Sequence, residues 1–212
     1  MRRLAVALVL LVLVSCGRQQ SADPQVSILV IGDSVLSWHA GAGASVADVI
    51  AAETGRVTAN RAVSGARFSQ FRPDASEKSH DIRAQYQPGG YDWVVLDGGA
   101  NDLLSECGCR RCPATLDGMI GADGAGGDLP EFVARIRADG ARVLLIGYYD
   151  GNLRPNPFTP CNDEIDALNA RLARLADRQD GVVYVGADRV IDPANPTHWF
   201  IDGVHPSRLG RA

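Results

Sequence analysis

Five short runs of aliphatic and β-branched residues divide the chain, and most of the segments between them are long enough for a helix. The runs are residues 26–31 (VSILVI), 57–63 (VTANRAV), 91–97 (YDWVVLD), 142–147 (RVLLIG) and 182–185 (VVYV). The first is apolar at nearly every position, as a strand covered on both faces must be. Between the first two runs, residues 45–55 (SVADVIAAETG) carry a helical pattern that stops at Gly55. A short helix is expected late in the polar stretch from Phe68 to Gln87. Further on, Asp128-Leu129-Pro130-Glu131 reads as a helix start, with Asp128 as the N-cap and the helix running to Asp139. Residues 163–179 form the strongest amphipathic segment, with Ile165, Leu168, Leu172, Leu175 and Ala176 at three- and four-residue steps. Strand alternating with helix predicts a three-layer α/β/α fold around a parallel sheet of about five strands. Such sheets carry their ligands in the loops at the carboxyl ends of the strands.

That rule brings three loops together: Gly32-Asp33-Ser34 after the first strand, residues 64–67 after the second, and residues 98–102 after the third. A fourth loop, Asp202-Gly203-Val204-His205, follows the last strand and can join them. A serine hydroxyl is a poor nucleophile without an adjacent base. Imidazole takes and returns a proton near neutral pH, so His205 can be that base. Asp202, three residues earlier, can hold the other ring nitrogen and stabilise the imidazolium.

Gly32-Asp33-Ser34, Gly65, Gly99-Ala100-Asn101-Asp102 and Asp202-Gly203-Val204-His205 resemble, in order and spacing, the four sequence blocks of the GDSL, or SGNH, hydrolase family. Each block alone is ordinary turn chemistry; the ordered set spans nearly the whole domain. The resemblance implies the flavodoxin-like SGNH-hydrolase fold and a serine esterase working through an acyl-enzyme. It assigns Ser34 as nucleophile, His205 as base and Asp202 as its partner. The oxyanion donors it implies are the Ser34 and Gly65 backbone N–H groups and the Asn101 amide. It implies no metal or organic cofactor. Acetylated glycans, short-chain esters, lysophospholipids and thioesters all fit such a site, and the lack of a long apolar segment for a lid leans the reading toward small acyl groups. An envelope polysaccharide acyltransferase built on the same site, and a non-catalytic binding module, are the rival readings.

Among the other histidines, a helix after Ser34 is expected to carry His39 away. His80 lies in a polar stretch, and His198 has no acid at a useful offset. Asp33 and Asp102 are expected to have structural roles in their loops, and Trp38 and Trp199, which flank the proposed site in sequence, to pack in the core, with a wall of the substrate site as the alternative. Val35 stands where the family usually has leucine or isoleucine, an apolar exchange. A loop-rich insertion at residues 106–127 is less typical. The family usually continues as a helix after the histidine, and Pro206-Ser207-Arg208-Leu209-Gly210 reads as its first turn.

The chain has 212 residues, a length that favours one domain, here residues 26–212. Ahead of it, two arginines and an apolar run from Leu4 to Val14 are too short for the roughly 20 residues of a membrane span, and read as a signal peptide, residues 1–15. Leu13-Val14-Ser15-Cys16 resembles the lipobox of bacterial lipoproteins, which implies cleavage before Cys16, its acylation, and export to the cell envelope with a lipid anchor in a membrane. Residues 16–25 then form a polar tether. The formal net charge of −4 becomes more negative once Arg2 and Arg3 are removed. With no basic block, nucleic acid and anionic lipid headgroups are poor candidates for the main partner. Of the five cysteines, Cys107, Cys109, Cys112 and Cys161 remain after Cys16. An even count in an exported chain favours two disulfides over a zinc site, with the pairing open and a Cys107–Cys109 bridge disfavoured by its small ring.

Overall fold

The computed structural model describes residues 25–70, 75–151 and 154–209. The signal segment, Cys16 and all of the tether but Gln25 lie outside the described residues. The sheet has five parallel strands: β1 (Ile28–Ile31), β2 (Thr58–Asn60), β3 (Trp93–Leu96), β4 (Arg142–Ile146) and β5 (Val182–Val185). Their order is β2-β1-β3-β4-β5, so the chain reverses direction across the sheet between β1 and β3. That reversal opens a crevice at the carboxyl ends of β1 and β3, where a doubly wound sheet accepts a ligand.

The pleat sorts side chains between the layers. Leu29 and Ile31 of β1 and Val94 and Leu96 of β3 enter one core, while Ile28, Val30 and Val95 enter the other. On the second face, α2 (Val46–Thr54) is capped by Ser45 and Asp48 in a reciprocal capping box. The first face holds α3 (Ala100–Cys107), α4 (Pro113–Met119), α5 (Asp128–Ala138) and α6 (Asn162–Arg178). Helix α6 buries Ile165, Leu168, Leu172 and Leu175, the stripe its periodicity predicts.

Three local expectations are corrected. The stretch expected to be a loop-rich insertion contains α4, whose start is prepared by Pro113 and by the Cys107–Cys112 disulfide. Asp128 is the first residue of α5 rather than its cap. Gly127 occupies the cap at φ +94°, because a Cβ there would lie 2.7 Å from the Met119 carbonyl. Asp128 instead ion-pairs with Arg83 at 3.1 Å. After His205, residues 206–209 make a bridge and a turn, not a helix. The short helix predicted at the end of the polar stretch is present, as a 3-10 helix over Ile82–Gln85. The second disulfide, Cys109–Cys161, ties the end of α3 to the turn that starts α6, so all four cysteines of the domain are paired.

Candidate active site

Ser34 stands where β1 gives way to α1 (Ser34–Ser37), a single turn. The Asp33 side chain caps that turn by accepting the Val35 N–H at 2.9 Å. Gly32 has φ +142°, and a Cβ on it would sit 1.8 Å from Asp97 Oδ1, so no side chain fits at this position. Gln85, fully buried, grips the same residue from the other side: its Oε1 accepts the Gly32 N–H at 2.7 Å and its amide donates to the Gly32 carbonyl at 3.0 Å.

The terminal loop is folded as a tight return. Trp199 and Pro206 form an antiparallel bridge, the Phe200 N–H donates to the His205 carbonyl, and Gly203 turns at φ +69°. Asp202 and His205 are thereby brought side by side. Asp202 Oδ1 accepts the backbone N–H groups of Val204 and His205, both at 3.0 Å, and its Oδ2 lies 2.7 Å from His205 Nδ1. Partial burial pushes the Asp202 carboxyl up, but the His205 ring and these backbone donors outweigh it and hold the group below the ordinary carboxylate range. An ionised Asp202 only accepts, so the proton belongs on Nδ1 and the lone pair on Nε2. That Nε2 is buried and, among the described residues, without a partner. Trp38, the residue that ends α1, stacks flat on the imidazole, with ring centroids 3.7 Å apart and planes within 7°. The turn that starts at Ser34 therefore abuts the loop that carries His205. Tyr149 donates to the Val204 carbonyl and Asn156 to the Gly203 carbonyl, and these bonds fix the loop from below.

Ser34 and Asn101 line one pocket with Asp33, Val204, Tyr149 and Phe158. Asn101 lies in the first turn of α3, and its amide donates to Asp33 Oδ2 at 3.2 Å and to the Ala66 carbonyl at 3.3 Å, so it ties the first three loops together. Gly65 is in the turn just before Ala66, at φ +78°. Ser34 and Asn101 thus share one pocket with Val204 of the His205 loop, while no hydrogen bond between Ser34 and His205 is seen among the described residues.

The rival residues are accounted for by their bonds. Helix α1 ends at Ser37, so His39 is not carried away; it packs near Phe200, and its Nε2 faces the Pro206 carbonyl at 3.3 Å. His198 Nδ1 accepts the Asp192 N–H, and His80 is exposed. Asp102 accepts the Phe68 and Ser69 N–H groups, the structural role expected of it. Trp199 is buried against Tyr149, whereas Trp38 belongs to the site and not to the core.

Sequence reasoning missed a buried polar layer beneath Ser34. Asp97, at the end of β3, accepts the Asp33 N–H at 2.7 Å, and Tyr148 donates to Asp33 Oδ2 at 2.6 Å. Burial pushes the Asp33 carboxyl up against the hydrogen bonds that stabilise its charge. It pushes Asp97 further, with the Asp33 charge adding to it, and it raises the hydroxyls of Tyr148 and Tyr149 for the same two reasons. A strand that ends in an acid (VVLD) and a tyrosine pair just past β4 were the available signals, since both lie at the carboxyl edge.

The chain matches the GDSL-like Lipase/Acylhydrolase family over residues 30–212. No curated protein matches its sequence significantly. Among solved structures, it is similar to Est24, a carbohydrate acetylesterase from Sinorhizobium meliloti, at 18% identity and a TM-score of 0.59, covering 87% of this chain and 94% of that one. A variant of Axe2, an acetyl-xylooligosaccharide esterase from Geobacillus stearmophilus, is 21% identical with a TM-score of 0.56, covering 87% and 88%. The M. smegmatis aryl esterase is 17% identical with a TM-score of 0.55, covering 87% and 92%. At these identities the neighbours establish the fold. The family match extends over nearly all of the described domain, and on it the chain belongs to the GDSL-like lipase/acylhydrolase family, as an ester-cleaving hydrolase of the SGNH fold.

Proposed function

We propose that the protein is a small-acyl esterase, acting as a carbohydrate O-deacetylase of the cell envelope, with Ser34, His205 and Asp202 as its catalytic triad. The observation that carries this reading is the state of His205: Asp202 holds Nδ1, and Nε2 is left buried and unpartnered beside the turn that begins at Ser34. Ser34 Oγ attacks the ester carbonyl carbon while His205 Nε2 takes its proton. The same nitrogen returns that proton to the departing alkoxide as the C–O bond breaks, leaving an acyl-Ser34 ester. Water, deprotonated by His205, attacks the acyl carbon, and Ser34 leaves with the proton restored. The Ser34 and Gly65 N–H groups and the Asn101 amide serve the oxyanion. In the resting site that amide donates to Asp33 Oδ2 and to the Ala66 carbonyl, so it turns from these acceptors to reach the developing charge.

Pocket size supports a small acyl group. The cavity beside Ser34 holds about 40 Å³, walled by Phe158, Ile165 and Tyr149. The acetylesterase neighbours act on carbohydrate, which favours a sugar as the alcohol side.

A fluorophosphonate probe is expected to label the folded wild-type domain covalently at Ser34. Aryl esters of increasing chain length are expected to lose kcat/KM beyond butyrate by about tenfold or more, the scale of a side chain that its pocket excludes. A folded domain that takes no label overturns the triad, and equal rates on acetate and octanoate overturn the small-acyl reading. The lipid anchor rests on the lipobox-like Leu13-Val14-Ser15-Cys16. Cys16→Ser is expected to stop lipid attachment and release the protein from the membrane fraction; unchanged membrane association and mass would remove the anchor from the proposal.

A further inference from the structure

Resting on the reading of Ser34 as nucleophile, we propose that Asp97 is a positioning residue: it stays a neutral carboxylic acid, shares its proton with Asp33, and so fixes the Gly32–Ser34 turn while Asp33 remains ionised. The proposal begins with an imbalance of donors. Asp97 is 3% exposed and Asp33 1%, so neither carboxyl has access to solvent. The Asp33 N–H lies 2.7 Å from Asp97 Oδ1, so the two acids are neighbours in the same buried layer. Asp97 Oδ1 accepts the Asp33 N–H, but Asp97 Oδ2 is buried and has no hydrogen-bond partner among the described residues. Two ionised carboxylates so placed would repel each other and leave an acceptor unsatisfied in a low-dielectric site. One proton between them removes both penalties.

Donor supply decides which residue keeps that proton. Asp33 receives Val35 N–H, Tyr148 Oη–H and the Asn101 amide, three donors that stabilise its charge. Asp97 Oδ1 receives one hydrogen bond, from the Asp33 N–H, and the carboxyl faces the Asp33 charge. Tyr148 and Tyr149, the other titratable groups packed against the pair, are held neutral by burial and by the same charges; Asp202 acts on Tyr149. Asp97 therefore carries the proton. Its Oδ1 holds the backbone one residue before the nucleophile, opposite the Gln85 clamp on Gly32.

The consequence is a sensitivity to alkali. Asp97 is raised, so the folded state binds a proton that the unfolded chain has lost. Stability from this group is full below the ordinary carboxylate range and declines as pH rises toward the raised value. When the proton leaves, the turn loses its register and hydrolysis falls.

The experiment compares wild type, Asp97→Asn and Asp97→Leu with p-nitrophenyl acetate across pH, alongside melting temperature and infrared spectra. Asparagine reproduces the protonated acid: its oxygen accepts the Asp33 N–H and its amide donates to Asp33. It is expected to keep kcat/KM within about threefold at neutral pH, to lose the alkaline decline in rate and in melting temperature, and to abolish a protonated-carboxyl stretch seen in wild type. Leucine strands the Asp33 N–H and is expected to lose about tenfold or more. Asp97→Asn with an unchanged alkaline limb, or as impaired as leucine, overturns the proposal. If asparagine does not fold, the wild-type spectrum decides: no protonated-carboxyl band at neutral pH also overturns it. Failure of the esterase reading is separate, appearing as no acetate hydrolysis by wild type while that band persists.

Discussion

Ser34→Ala is expected to lower kcat for acetate hydrolysis by about 10⁴- to 10⁶-fold, with no residual covalent labelling. The substitution removes Oγ and little else. Ser34 opens α1, but the cap of that turn is the Asp33 carboxylate on Val35 N–H, which alanine leaves intact. Stability is therefore expected to stay within about 0.5 kcal/mol of wild type. The Ser34 N–H also remains, so a residue of oxyanion stabilisation survives above the rate in water. Ser37 supplies the control. Its hydroxyl lies 3.2 Å from that of Ser64 at the surface, and Ser37→Ala is expected to hydrolyse as wild type does. Loss of labelling in Ser37→Ala with retention in Ser34→Ala would move the nucleophile and sink the triad.

Much of this site could be read before the structure because its parts lie where a parallel sheet must put them. Ser34 and Asn101 follow strands whose apolar runs are continuous, and His205 and Asp202 sit on one short return. The local signals for α2 and α6 were equally clear, since Ser45, Asp48 and Gly55 mark the ends of one and a clean apolar stripe marks the other. What was not legible depends on contacts between distant segments. Trp38 looks like core from sequence, and only the folding of residues 199–206 brings His205 onto its face. Gln85 sits in a polar stretch with nothing to say that it is fully buried on Gly32. Helix α4 was hidden because glycine and cysteine dominate its surroundings, and its start depends on a disulfide. Regular β2 ends at Asn60, short of the predicted strand, although Arg61 and Val63 still donate to the carbonyls of Val30 and Gly32.

His205→Ala is expected to approach the loss seen for Ser34→Ala, and the double variant to lose no more than either alone, because nucleophile and base act as one unit. Asp202 separates tautomer control from loop stability. In Asp202→Asn the amide oxygen can replace Oδ1 as acceptor for the Val204 and His205 N–H groups, so the return keeps its shape. The amide nitrogen would then face His205 Nδ1 as a donor. That drives the ring proton to Nε2, the position that must accept from Ser34, and kcat is expected to fall by about 10³- to 10⁴-fold. Asp202→Ala imposes no wrong tautomer, and the side chain is 32% exposed, so water can serve Nδ1 in its place. Alanine is therefore expected to retain more activity than asparagine while unfolding at a lower temperature, having lost both backbone anchors. The pH dependence of stability distinguishes them further. Asp202 is held below the ordinary carboxylate range, so its contribution is present above that range and lost as pH falls through the depressed value, the opposite sense to Asp97. Both Asp202 variants should lack that acid loss and keep the alkaline one. Equal kcat for the asparagine and alanine variants would show that Asp202 acts by charge alone, and an unchanged rate in both would remove it from the site.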